Sequence, residues 1–67
     1  MKDPHRETIW VTRVLNGKVL SRDLERRMVH YRVDGSGFVR VDDKRIDVVR
    51  STLDHDSIIL NYEGKLV

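Results

Sequence analysis

Tyr31, Val33, Val39, Val41, Ile46 and Val48 fall on a single face once the chain folds back at Gly35-Ser36-Gly37 and again at Asp43-Lys44. Side chains in a strand alternate between faces with period two, so one register has to satisfy every pair at once. With Gly37 in the left-handed position that three-residue loops favour, Val33 sits opposite Val39 and Tyr31 opposite Val41. A two-residue turn at Asp43-Lys44 then sets Val41 against Ile46, Val39 against Val48, Arg40 against Asp47 and Asp42 against Arg45. The last two are opposite-charge pairs across the outer face, and a one-residue slip loses them together with the apolar face. Arg32 opposite Arg40 is the one unfavourable pair. The pattern predicts a three-stranded antiparallel meander.

Composition points the same way. The chain has no alanine and no glutamine, both favoured in helices, but carries ten valines, four isoleucines and three threonines. β-branched residues lose rotamer freedom on a helix and pack well on a pleated surface. A chain of 67 residues leaves only about 60% of its unfolded surface to bury. It has no cysteine, so no disulfide or thiolate zinc site supports it. At 39% apolar and 36% charged it is too apolar for a disordered tail and too charged for a membrane span. No basic-then-apolar leader is visible, and the expectation is a cytoplasmic protein without a membrane partner.

Along the chain, residues 1–7 are polar, contain Pro4, and read as a flexible lead-in to one small domain over 8–67. Asn16-Gly17 supplies two residues tolerant of positive φ, which predicts a hairpin near 8–21 with Val14 facing Val19 and Thr12 facing Ser21. Ser57 to Tyr62 reads as a further strand with Ile58, Leu60 and Tyr62 on one face. Residues 20–31 carry two patterns. Leu20, Leu24, Met28 and Tyr31 recur at helical spacing, with Ser21 as cap, Asp23 and Glu25 early, and Arg26 and Arg27 late. Val29, Tyr31 and Val33 alternate with His30 and Arg32 as in a strand. The compromise is a short helical turn at 22–28 feeding a strand at 29–33. The expected fold is therefore mainly β: a small antiparallel meander or partly open barrel of about five strands, with at most one short helix near 22–28. The alternative is an α+β, β-grasp-like fold in which 21–31 is a full helix on the sheet.

Catalytic chemistry is hard to place on this chain. His5, His30 and His55 are scattered, and none sits in a nucleophile motif. Asp34-Gly35-Ser36-Gly37 is too short to cradle a phosphate and suits a hairpin loop better. Asp54-His55-Asp56 offers oxygen and imidazole ligands but no fourth partner at metal-site spacing, so it reads as a polar turn. The expectation is a non-enzyme with no cofactor, no metal and no small-molecule substrate.

Charge says more. Residues 1–33 hold eight Lys/Arg against four Asp/Glu (+4), and 34–67 hold five against seven (−2), which sum to the net +2. Nine of the thirteen basic residues are arginine, whose planar fork suits phosphate and carboxylate. On the meander register His30, Arg32, Arg40 and Arg45 share the outer face with Asp42 and Asp47, and Arg13, Arg26 and Arg27 could extend that patch. One reading is a solvated face of weak ion pairs. The other is a platform for RNA or DNA made by Arg13, Arg26, Arg27, His30, Arg32, Arg40 and Arg45. Exposed aromatic rings would favour the second, because bases stack on them, but most of the four aromatics read as core, Trp10 included. A β domain this small without disulfide or metal also invites dimerisation, or pairing of an open strand edge with another protein.

From Gly37 the chain reads Gly-Phe-Val-Arg-Val-Asp-Asp-Lys-Arg-Ile-Asp, then Ser-Thr-Leu-Asp-His-Asp-Ser-Ile-Ile-Leu, then Glu-Gly-Lys-Leu-Val. Over residues 37–67 this resembles the second half of the small RNA-binding domain first named from a small-subunit ribosomal protein. There a strand ending Val-Asn-Gly-Lys precedes a Gly-Asp-x-Ile strand. It is similar, too, to the end of the β-grasp sulfur carriers. The first resemblance implies RNA binding. This chain has Asp42-Asp43 at the Asn-Gly position and His55-Asp56 at the Gly-Asp position, and paired N-terminal helices are not evident. It ends Lys65-Leu66-Val67 where a carrier needs Gly-Gly, which argues against carrier chemistry.

Overall fold

A computed structural model describes residues 3–63. Five strands, β1 (His5–Leu15), β2 (Lys18–Tyr31), β3 (Gly37–Val41), β4 (Lys44–Asp47) and β5 (Ser57–Tyr62), form one sheet in the order β4-β3-β2-β1-β5. β1/β2, β2/β3 and β3/β4 are antiparallel, whereas β5 runs parallel to β1, so the sheet is mixed rather than a pure meander. The edge strands β4 and β5 come together without a hydrogen-bonded ladder, and the sheet curls into a nearly closed barrel. Among the described residues no helix is long and apolar enough to cross a membrane.

The first hairpin turns at Asn16-Gly17, with φ of 48° and 83° at the two positions, as a two-residue primed turn requires. Val14 faces Val19 as expected. Thr12, however, faces Arg22 and not Ser21, because a bulge leaves Leu20 as an extra residue on β2. β1 begins at His5, paired to Val29, so His5, Arg6 and Glu7 belong to the sheet and not to a lead-in. β2 is extended for 14 residues, and the helical turn at 22–28 does not form. Its helix-spaced residues Leu20, Leu24 and Met28 are exposed, on the outer face of a strand.

The later turns also differ from expectation. Tyr31 faces Gly37 and His30 faces Phe38, so the loop spans 32–36, closed by bonds from Arg32 N to Ser36 O (2.8 Å) and Gly35 N to Arg32 O (2.9 Å). Gly35, at φ 90°, takes the left-handed position in place of Gly37, and Val33 lies 88% exposed outside the core. The β3–β4 turn falls at Asp42-Asp43, with φ of 49° and 65°. Short aspartate side chains tolerate the left-handed region better than lysine does. β4 therefore shifts by two residues, so Val39 faces Ile46, Phe38 faces Asp47, and Arg40 faces Arg45. A shift of two preserves the face. Val41, Ile46 and Val48 still pack against the core, but the pairs Arg40–Asp47 and Asp42–Arg45 are not made.

The buried core is Ile9, Val11, Val29, Tyr31, Val39, Ile58 and Leu60. Trp10 is not part of it. It alternates outward from Ile9 and Val11, with the Arg22 guanidinium 3.9 Å from its ring centroid and its Nε1 donating to Asp54 (3.0 Å). Phe38 likewise faces outward from Val39 and Gly37, half-buried. At the start of β1 the Tyr31 hydroxyl donates to Glu7, and the His5 ring stacks on Tyr31 at 5.4 Å with its Nε2 3.0 Å from the Glu7 carboxylate. Burial, then the bond and charge of Glu7, push the Tyr31 hydroxyl up to about 12 from its ordinary 10.0. Below the ordinary value the group is neutral in both folded and unfolded chains. Between the two values only the unfolded chain sheds the proton, so stability falls as pH rises through this window. Urea unfolding across it should move the stability difference between wild type and Tyr31→Phe toward the variant; a difference constant with pH would contradict this.

Candidate nucleic-acid interface

β2 and β3 part company after two paired residues on each strand, although β2 runs on in the other direction as far as Lys18. The divergence opens a groove of about 370 Å³ lined by Arg6, Glu25, Arg26, Arg27, Met28, His30, Val39 and Arg40. Strand parity explains five of the eight lining residues, and Glu25, Arg27 and Val39 have the opposite parity. Arg26, Met28 and His30 are on the outer face of β2, Arg6 sits opposite Met28 on β1, and Arg40 is the outward residue of β3 beside buried Val39. Arg6, Arg26 and Arg40 are exposed, and among the described residues none of them holds a carboxylate.

The groove's one carboxylate is already engaged. Glu25 accepts from Arg13 Nη1 at 2.9 Å and from Arg27 Nη2 and Nε at 2.7 and 3.1 Å. The Arg13 bond, reinforced by Arg27, holds the Glu25 carboxyl below the usual carboxylate range. It stays ionised and saturated at neutral pH. The groove thus presents three free guanidiniums beside an ion-paired fourth.

Of the seven sequence-predicted residues, Arg26, Arg27, His30 and Arg40 come together here. Arg13 points to the inner side and is tied to Glu25. Arg32 bonds Asp47 at 2.7 Å, and its guanidinium passes 4.7 Å from the Phe38 ring centroid. Arg45 lies outside the groove, opposite Arg40 and 5.3 Å from the same ring. Arg6 was missed because residues 1–7 read as a lead-in. The signal that finds it is the alternation of Glu7, Ile9 and Val11 against Arg6, Thr8 and Trp10, which runs unbroken into the strand.

Aromatic rings accompany the basic groups. His30 lines the groove and stacks on Phe38, with centroids 5.3 Å apart and planes inclined by 21°. The Asp54-His55-Asp56 segment is a turn. Asp54 accepts from His55 N and then Trp10 Nε1, which holds its carboxyl low, and Asp56 accepts from Ser51 N. Among the described residues no cluster of His, Asp and Glu has the arrangement to hold a metal ion. No family model matches the chain, and no curated protein or solved structure matches it either.

Proposed function

We propose that this protein is a small non-catalytic binding module that holds RNA or DNA on its arginine-bearing outer face. One observation carries the reading: Arg6, Arg26 and Arg40, from three different strands, converge on one groove without a carboxylate of their own. Free guanidiniums brought close together repel one another, and an anionic partner with regularly spaced charges relieves that repulsion. Asp42 and Asp47, the acids sharing the outer face, oppose phosphate there, and Asp47 is paired with Arg32. The binding is directed at the backbone and is weak, because few phosphates are contacted.

The test is a titration with short RNA and duplex DNA at several salt concentrations. Binding should weaken log-linearly with salt, and Arg26→Gln or Arg40→Gln should each reduce the slope by about 0.7–0.9. An absence of binding to either at low salt, or slopes unchanged in both variants, would refute the reading. A second reading has its own support. Val41, Ile46, Leu60 and Tyr62 line a cleft between the edges of β4 and β5, which are bridged past the end of β4 at Val49–Ser57, and a strand from another protein or a second copy can pair in that cleft. The same titration, coming out negative, would leave that edge as the working surface.

A further inference from the structure

The groove holds more than charge. Its His30 wall is an aromatic ring stacked on Phe38, which stands behind it and does not itself line the groove. From this we infer that the β2–β3 groove is a nucleotide subsite, in which Arg6, Arg26 and Arg40 take backbone phosphate while one unpaired base stacks on His30 and extends the His30–Phe38 stack. The inference rests on the nucleic-acid reading above and narrows it to single strands.

Three features support it. The volume, about 370 Å³, is at the small end of ligand pockets and suits one nucleotide unit, not the side of a duplex. The stacking surface has a backing: behind His30, Phe38 is flanked by Arg32, which bonds Asp47, and by Arg45. His30 lies against this ring, so less of its own freedom is left to lose when a base stacks on its other side. Met28, exposed on β2, supplies apolar surface beside the guanidiniums, which suits a base and adds nothing for phosphate alone. Bases in a duplex are already stacked and paired, so only an unpaired strand can reach the ring.

The experiment compares a short oligouridylate with its duplex on oligoadenylate, using the wild type, His30→Ala and His30→Phe. His30 lies on the outer face, so neither variant opens the core, and thermal unfolding of each checks this. The single strand should bind more tightly than the duplex. His30→Ala should lose roughly 5- to 150-fold in single-strand affinity, the usual range for one stacked base, with an unchanged salt slope. His30→Phe, which keeps a stacking ring without the imidazole nitrogens, should stay within about threefold of wild type. Equal affinity for duplex and single strand, or His30→Ala binding as tightly as wild type, would overturn the subsite and leave the phosphate-binding reading standing. His30→Phe losing as much as His30→Ala would also overturn it, assigning the residue to hydrogen bonding or charge. If neither nucleic acid binds at low salt, both readings fall together.

Discussion

Ile58→Ala should bring this domain close to global unfolding, while Ile59→Ala, one residue along, should scarcely be felt. Ile58 is wholly buried in the core, and Ile59 is 48% exposed on the outer face beside Thr12. Truncating a buried isoleucine to alanine costs about 2–5 kcal/mol, the lost transfer energy plus the cavity left behind. A chain of this length carries only about 3–10 kcal/mol of stability, at roughly 0.05–0.15 kcal/mol per residue. The core has seven buried side chains, and β5 supplies two of them, Ile58 and Leu60. β5 is also the one strand held parallel, far in sequence from its partner β1, so the loss loosens the contact that closes the barrel. Urea midpoints for the two variants read the difference directly. Equal midpoints would mean that strand parity does not set burial in β5.

The alternation that assigns β5 was plain in the sequence, since Ile58 and Leu60 stand two apart in a short run bounded by turn residues. β2 was not plain, for a geometric reason. Leu20, Leu24 and Met28 are spaced by four, and a spacing of four keeps residues on one side of both a helix and a strand. Only the three-residue step from Met28 to Tyr31 tells them apart, and in the strand it sends Met28 outward and Tyr31 into the core. The decision came from long-range pairing, because each residue from Lys18 to Val29 other than the bulged Leu20 has a partner on β1. Local helix signals such as Ser21 followed by Asp23 and Glu25 are worth little against that ladder.

Turn chemistry explains the register errors in the same terms. Asn16-Gly17 has strong local preferences and was legible, whereas Asp42-Asp43 competed with Asp43-Lys44. Cross-strand charge pairing favoured the wrong choice. Surface ion pairs contribute only a few tenths to about 1 kcal/mol, too little to overrule a backbone that wants two residues in the left-handed region. The candidate site was legible as a set of arginines but not as a groove. Which arginine is free depends on Arg13–Glu25 and Arg32–Asp47, contacts 12 and 15 residues apart in sequence. Charge counting treats all seven candidates alike. The fold pairs Arg13 and Arg27 with one carboxylate, Glu25, and Arg32 with Asp47, and it brings Arg26 and Arg40, joined by Arg6, to one groove.

Gly37→Val should destabilise the protein even though valine is among the best strand residues and Gly37 stands in a strand. Gly37 is buried opposite Tyr31, and a Cβ placed on it would lie 3.1 Å from Val29 Cγ1 and 3.7 Å from Tyr31 Cε1. Its φ is not in the left-handed region, so the requirement for glycine here is space and not backbone freedom. Alanine asks Val29 to give by a few tenths of an ångström. The two further methyls of valine press into Val29 and Tyr31, and such overpacking costs about 1–3 kcal/mol. The strand preference of valine, within a scale of about 1 kcal/mol, offsets only part of that. The cause can be separated from the effect with a second substitution. If crowding is responsible, Val29→Ala makes room, and the double variant should be more stable than the sum of the two single losses predicts. Neighbours in contact typically couple by about 0.5–3 kcal/mol, well above the error of a urea titration. Strictly additive losses would instead place the fault in the Gly37–Val48 backbone bond, at 3.0 Å the link that ties the far end of β4 back to β3.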